Sequence, residues 1–118
     1  MAEIKSKSVE ISDMNRELQK VLKSGKVLIG ANETLKALRG EEAVVKAVIY
    51  ASNCPEDITE GFKEVTKQKK GNTLFYEYPV NSLELGLACG KPYSIASLCI
   101  RDTGKSDILR LIEKEKNR

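Results

Sequence analysis

The feature that most constrains this chain is the run of residues 43–51, nearly all apolar, with Lys46 as its only charge. It does not alternate, so it does not read as a strand with one wet face. A run rich in valine and isoleucine suits a central strand covered on both faces. It is far shorter than the roughly 18 apolar residues a membrane span needs. A central strand needs paired neighbours beside it and packed layers above and below. The remaining chain has to supply both.

It has the patterns to do so. Ile11, Met14, Leu18, Val21 and Leu22 recur at helical spacing, and Gly25 follows where a left-handed residue ends helices. Val27-Leu28-Ile29 reads as a short buried strand halted by Gly30. Asn32 then suits a helix N-cap, with Leu35 and Leu38 facing inward up to Gly40. Beyond the central run, Pro55 sits where a first helical turn accepts proline, Ile58, Phe62 and Val65 form an inward stripe, and Gly71 closes the helix. Residues 73–78 carry three aromatics in a strand-like run ended by Pro79. Asn81, three residues before Glu84, resembles a capping pair opening a short helix that ends at Gly90. Residues 95–100 predict a fourth strand, and Ile108, Leu111 and Ile112 a closing amphipathic helix with frayed polar residues 113–118. Helices and strands alternate without linker or repeat, which predicts an α/β fold: a three-layer α/β/α sandwich around a mixed four-stranded sheet. The expected division is a loose arm over 1–12, one domain over 13–113 and a polar end over 114–118. Right-handed crossovers would gather several helix N-termini and strand-ending loops on one sheet edge, offering amide donors to an anion.

Composition narrows the function. A chain of 118 residues, 41% hydrophobic and 31% charged, is a single globular domain by size and balance. The start lacks the apolar stretch of a signal peptide, so a soluble cytoplasmic protein is the default expectation. Cys54, Cys89 and Cys99 are odd in number and lack C-x-x-C spacing, which argues against a disulfide framework and a zinc site. There is no histidine, so the commonest metal ligand and acid–base group are missing. No cofactor or metal is expected. The net charge of +3 is modest, but its distribution is uneven. Between Lys20 and Arg39 five basic residues stand against Glu33 alone, and between Lys63 and Lys70 four lysines stand against Glu64. Such excess forms either a phosphate-attracting patch or two solvated helix faces.

Four segments merit weighing. In Gly30-Ala-Asn32-Glu33-Thr-Leu-Lys36, an amide, a carboxylate and an ammonium would project beside a helix N-terminus. Glu33 would accept from guanine amino and imino groups, Asn32 would pair with a base or sugar edge, and Lys36 and the amides near Gly30 would meet phosphate. The plainer reading is capping by Asn32 plus a surface charge pair. Gly25-Lys26 would let backbone approach a sugar-phosphate chain, or would simply end a helix. Neither it nor Gly104-Lys105-Ser106 is a Walker loop, because the required first glycine is absent. The loop 90–96 offers Tyr93, Ser94, Ile95 and Ala96 as a platform for an unstacked base, or merely begins a strand. Cys54 beside Pro55 at a helix start would favour a thiolate, but no histidine is present to act as base.

The words Lys-Ser-Gly25-Lys26, Gly30-x-Asn32-Glu33-x-x-Lys36, Asn53-Cys54-Pro55, Glu84-Leu85-Gly86-x-Ala88-Cys89-Gly90-Lys91 and Asp102-x-Gly104-x-Ser106-Asp107-Ile108 occur in this order. Together they closely resemble the archaeal and eukaryotic large-subunit ribosomal protein family numbered thirty-e, within the kink-turn RNA-binding superfamily. The resemblance spans roughly residues 15–111. It implies a three-layer sandwich, a structural place in the large subunit of the cytoplasmic ribosome, and capture of kink-turn RNA, an internal loop whose tandem G·A pairs adjoin a tight bend. It further implies that Gly25 and Lys26 approach the bend, and that Asn32 and Glu33 face the G·A region with Lys36 on the backbone. Asn53 would be a further contact, and Tyr93 to Ala96 would meet the extruded nucleotide. Eukaryotic members often carry phenylalanine at the position of Tyr93, and the Asn32-Glu33 pair looks more like archaeal members of the superfamily. The implied partners are kink-turned ribosomal RNA and neighbouring large-subunit proteins, with no membrane, for a chain that is monomeric when free. Two rival readings remain: a core kink-turn binder of a guide-RNA particle, and a thiol enzyme using Cys54.

Overall fold

Among residues 11–40, 45–69 and 73–116, which the computed structural model describes, helix and strand alternate throughout. Residues 1–10 of the expected arm, Ala43 and Val44 of the apolar run, Lys70, Gly71 with its expected helix-closing role, and residues 117–118 lie outside the described residues. The order is α1 (Ile11–Ser24), β1 (Lys26–Ile29), α2 (Ala31–Arg39), β2 (Ala47–Ala51), α3 (Glu56–Lys69), β3 (Leu74–Tyr78), α4 (Ser82–Ala88), β4 (Ser97–Asp102) and α5 (Ile108–Lys116). Ile11 and Ser12 of the expected arm are thus helical, as are Lys114 to Lys116 at the other end.

The sheet order is β1-β4-β2-β3. β4 runs antiparallel to both β1 and β2, while β2 and β3 are parallel, so the sheet is mixed as expected. β2 is interior, and Ala47, Val48 and Ile49 are fully buried, which is why the chain spends its longest apolar run there. Its side chains feed two cores. On one face Ala47, Ile49 and Ala51 join Met14, Leu18 and Val21 of α1, Leu85 and Ala88 of α4, and Ile108 and Ile112 of α5. On the other, Val48 joins Ala37 and Leu38 of α2, Phe62 of α3 and Cys99 of β4. Two cores on opposite sides of one sheet make the three layers.

Polar contacts fasten the layers. The Tyr78 hydroxyl, buried in the first core, donates to Asn15 Oδ1 at 2.6 Å. Glu17, also buried, accepts from the Ser106 hydroxyl and the Asp107 amide at 2.9 Å each, so α1 holds the chain at the start of α5.

Three local expectations need correction. β4 covers Ser97–Asp102 rather than 95–100. Ile95 is buried in the first core from the preceding loop, whereas the polar Arg101 and Asp102 extend the strand because Lys26 pairs opposite Asp102. Gly25 is not among the positive-φ glycines. A side chain there would collide with the Asp102 carbonyl, so the glycine serves close approach of two backbones. Asn32 is not the cap of α2; Gly30 is.

Candidate nucleic-acid interface

β1, β2 and β3 run in one direction, because β1 and β2 both oppose β4 and β3 parallels β2. Their C-terminal ends therefore share one sheet edge, and α2, α3 and α4 all begin there. The loop that enters β4 returns to the same edge. The sequence candidates Gly30, Asn32, Glu33, Asn53, Tyr93, Ser94, Ile95 and Ala96 are gathered by this topology, and Lys36 follows one turn along α2.

Gly30 sets the geometry. Its φ of 111° and ψ of 153° lie in a region essentially reserved for glycine. Its amide donates to the Ser97 carbonyl at 2.9 Å, tying the end of β1 to β4. Its carbonyl accepts from the Thr34 amide at 3.0 Å and the Thr34 hydroxyl at 2.8 Å, which starts the helix. The amides of Ala31, Asn32 and Glu33, in the first turn, have no intrahelical acceptor, and no side chain caps α2 in their place. Open space lies where a Gly30 side chain would stand. A foreign backbone can approach closely at this point.

With Gly30 as cap, Asn32 sits within the first turn and its side chain is not committed to the helix. Asn32, Glu33 and Lys36 are exposed, while Thr34, Ala37 and Leu38 turn inward. The plainer reading of Asn32 as an ordinary cap therefore falls. Asn53 shows the opposite. Its Oδ1 accepts from the Ser82 amide at 2.9 Å, and its Nδ2 lies 3.4 Å from the Ser82 hydroxyl as donor. It clamps the β2 exit loop to the start of α4, beside the true cap Asn81, whose side chain accepts from the Glu84 amide at 3.0 Å. Asn53 remains exposed, with one amide proton to spare.

The loop before β4 divides its residues. Ile95 is in the core, its amide bonded to the Ser82 carbonyl at 2.9 Å, and the Ala96 carbonyl accepts from the Ala51 amide at 2.8 Å. Tyr93 is half exposed at 51% and Ser94 is exposed, whereas Ile95 follows the strand-and-core reading. Sequence reasoning passed over Ser82 and Leu83. The first completes the Asn53 clamp, and the second stands exposed on the first turn of α4. An apolar residue on the outward side of a short helix was the available signal for Leu83.

One candidate pair stands apart. Gly25 and Lys26 lie at the start of β1, at the far end of the sheet from Gly30. Cys54 lies in the β2 exit loop, and burial pushes its thiol up, with the Asp57 carboxylate adding to the effect. That is the reverse of an activated thiolate. Among the described residues no group of three His, Cys, Asp or Glu side chains is placed to hold a metal.

Residues 12–110 match the Ribosomal protein L7Ae/L30e/S12e/Gadd45 family. The chain belongs to this family. Members similar to it include the large ribosomal subunit protein eL30 of Methanosarcina mazei, 44% identical over 97 residues, covering 82% of this chain and 86% of the relative. The protein of that name from Methanocaldococcus jannaschii is 37% identical over 106 residues, covering 90% and 93%. The one from the lancelet Branchiostoma belcheri is 38% identical over 112 residues and covers 95% of both chains. Archaeal and animal members of the family thus align with nearly the whole chain.

Proposed function

We propose that this protein is a structural constituent of the large ribosomal subunit in the cytoplasm, not a catalyst, and that it works by capturing a sharply bent ribosomal RNA. The subunit assignment rests on relatives that carry the large-subunit name over most of their length. The observation that carries the RNA reading is the uncapped start of α2 beside the open space at Gly30. Phosphate oxygens would take the free amides there, favoured by the positive end of the helix. Glu33 would accept from guanine edges of tandem G·A pairs, Asn32 would reach a base or sugar edge, and Lys36 would neutralise a phosphate one turn along. Asn53 would add a contact with its remaining proton. Tyr93, with Ser94 and the backbone of Ile95 and Ala96, would support the extruded nucleotide. The RNA-binding unit is the single domain over 13–113, monomeric before assembly.

The edge is rigid, because Gly30 and Ile95 are fixed by backbone hydrogen bonds to neighbouring elements and Asn53 by its side chain to the Ser82 amide. A rigid edge that fits only the bent RNA shifts the RNA population toward that form. The test is a gel-shift titration of a kink-turn against a version whose G·A pairs are made Watson–Crick. Wild-type protein is expected to prefer the kink-turn, and Glu33→Ala to lose about 1–3 kcal/mol of that binding, the scale of one good base-edge contact. Equal binding of both RNAs by the wild type overturns the reading. Wild-type affinity in Glu33→Ala removes Glu33 from it.

A further inference from the structure

Two glycine–lysine words, Gly25-Lys26 and Gly104-Lys105, are remote in sequence and meet at the sheet end opposite Gly30. Lys26 pairs with Asp102 in the β1–β4 register. The missing side chain of Gly25 admits the Asp102 carbonyl. Gly104, at φ +59°, turns the chain back against Ser24. The Ser24 hydroxyl donates to the Lys20 carbonyl at 2.7 Å and accepts from the Lys105 amide at 2.9 Å. Asp102 Oδ1 accepts from the Gly104 amide at 2.9 Å, which occupies one oxygen of the acid closest to the lysines. Two turns are thereby locked into one surface.

This end of the sheet carries Lys23, Lys26, Arg101 and Lys105, all exposed. The ion pairs among the described residues are Asp13 with Arg16 and Glu17 with Lys20, so none of these four cations is neutralised there. The large exposed apolar residues, Ile11, Leu83, Leu87 and Tyr93, all lie on other parts of the molecule. A protein partner would want an apolar centre to its interface. Unpaired ammonium groups on a locked backbone instead suit phosphates, which they meet as point charges. Along β4 this end lies about 16 Å from the Gly30 edge, five steps from Ser97 to Asp102 at the usual strand rise.

We infer that the β1–β4 end is a second RNA-backbone surface, holding a different RNA segment from the one seated at Gly30. The protein is then a two-ended clamp between RNA elements. This rests on the RNA-binding reading above, but not on its preference for a bend.

The test saturates the full chain with a short-stemmed kink-turn and titrates in a labelled 20-base-pair RNA duplex at low salt. The expected result is a ternary complex. With Lys26→Ala/Lys105→Ala, duplex binding weakens and its log–log salt slope becomes shallower by roughly 0.9 per lysine, while kink-turn affinity stays as in the wild type. That unchanged affinity also shows the variant is folded. Competition between duplex and kink-turn, or equal loss of both in the variant, overturns the inference, because the two ends would then serve one contact. Unaltered duplex binding in the variant also overturns it. If the wild type shows no preference for the kink-turn, the proposed function fails separately, and duplex titration of free wild-type and variant protein still decides the second surface.

Discussion

Glu17 is a carboxylate on the inward side of α1, flanked in the apolar stripe by Met14, Leu18 and Val21. Burial pushes its carboxyl up, but the Asp107 amide, the Ser106 hydroxyl and Lys20 together hold it below the ordinary glutamate value. The net depression means the charged form is favoured by folding. Its contribution is therefore present above the unfolded value and lost as pH falls through the lower folded value. Glu17→Ala is expected to destabilise the protein by about 2–3 kcal/mol at pH 7, since buried donors lose a charged acceptor. In urea titrations the gap between wild type and variant should narrow below about pH 4. A gap that stays constant down to pH 3 would show that the charge is not what matters. None of this was legible beforehand: the partners lie 89 and 90 residues away, and an isolated glutamate on an apolar stripe carries no sign of them.

At the scale of elements, the short-range signals were read best where one local rule acted alone. Asn81 caps α4 as its spacing from Glu84 implied. Asn32 misled because the competing cap was a glycine, whose value lies in a backbone angle rather than in a side chain. The sequence pattern puts β4 two residues early because Ile95 looks like a strand residue and Arg101 does not, although pairing with β1 decides the matter. Of the site, α2 and the Tyr93 loop were legible as motifs; the distance of Lys26 from both was not, because it depends on strand direction. Asn53 now has a structural task that its motif alone did not reveal. Asn53→Ala should cost the free protein about 1 kcal/mol, the usual size of a lost cap. Amide exchange at Ser82 should accelerate in parallel. Full stability in that variant would leave Asn53 with recognition as its main role.

The whole molecule binds, on this reading, through fixed charges and hydrogen bonds rather than titrating groups. It has no histidine, and the thiols of Cys54, Cys89 and Cys99 are all pushed up by burial, Cys89 to about 11. Kink-turn affinity should therefore change by less than about twofold between pH 6 and 8, while falling steeply with added salt. A pronounced pH profile at constant salt would point to a titrating group in the contact. The layered architecture was the most legible level, because two inward-facing sets of helices and an apolar central run admit few arrangements. Strand order was beyond the sequence, since nothing local says that the last strand enters the middle of the sheet. That entry governs how the polypeptide matures. β4 is the partner of both β1 and β2, so β1 has no neighbour in the sheet until residues 97–102 have been made. A nascent chain lacking them holds β2 and β3 with an open hydrogen-bonding edge. Completion of the sheet is consequently a late, long-range event, and the interval before it is when the growing chain is most exposed to wrong pairing.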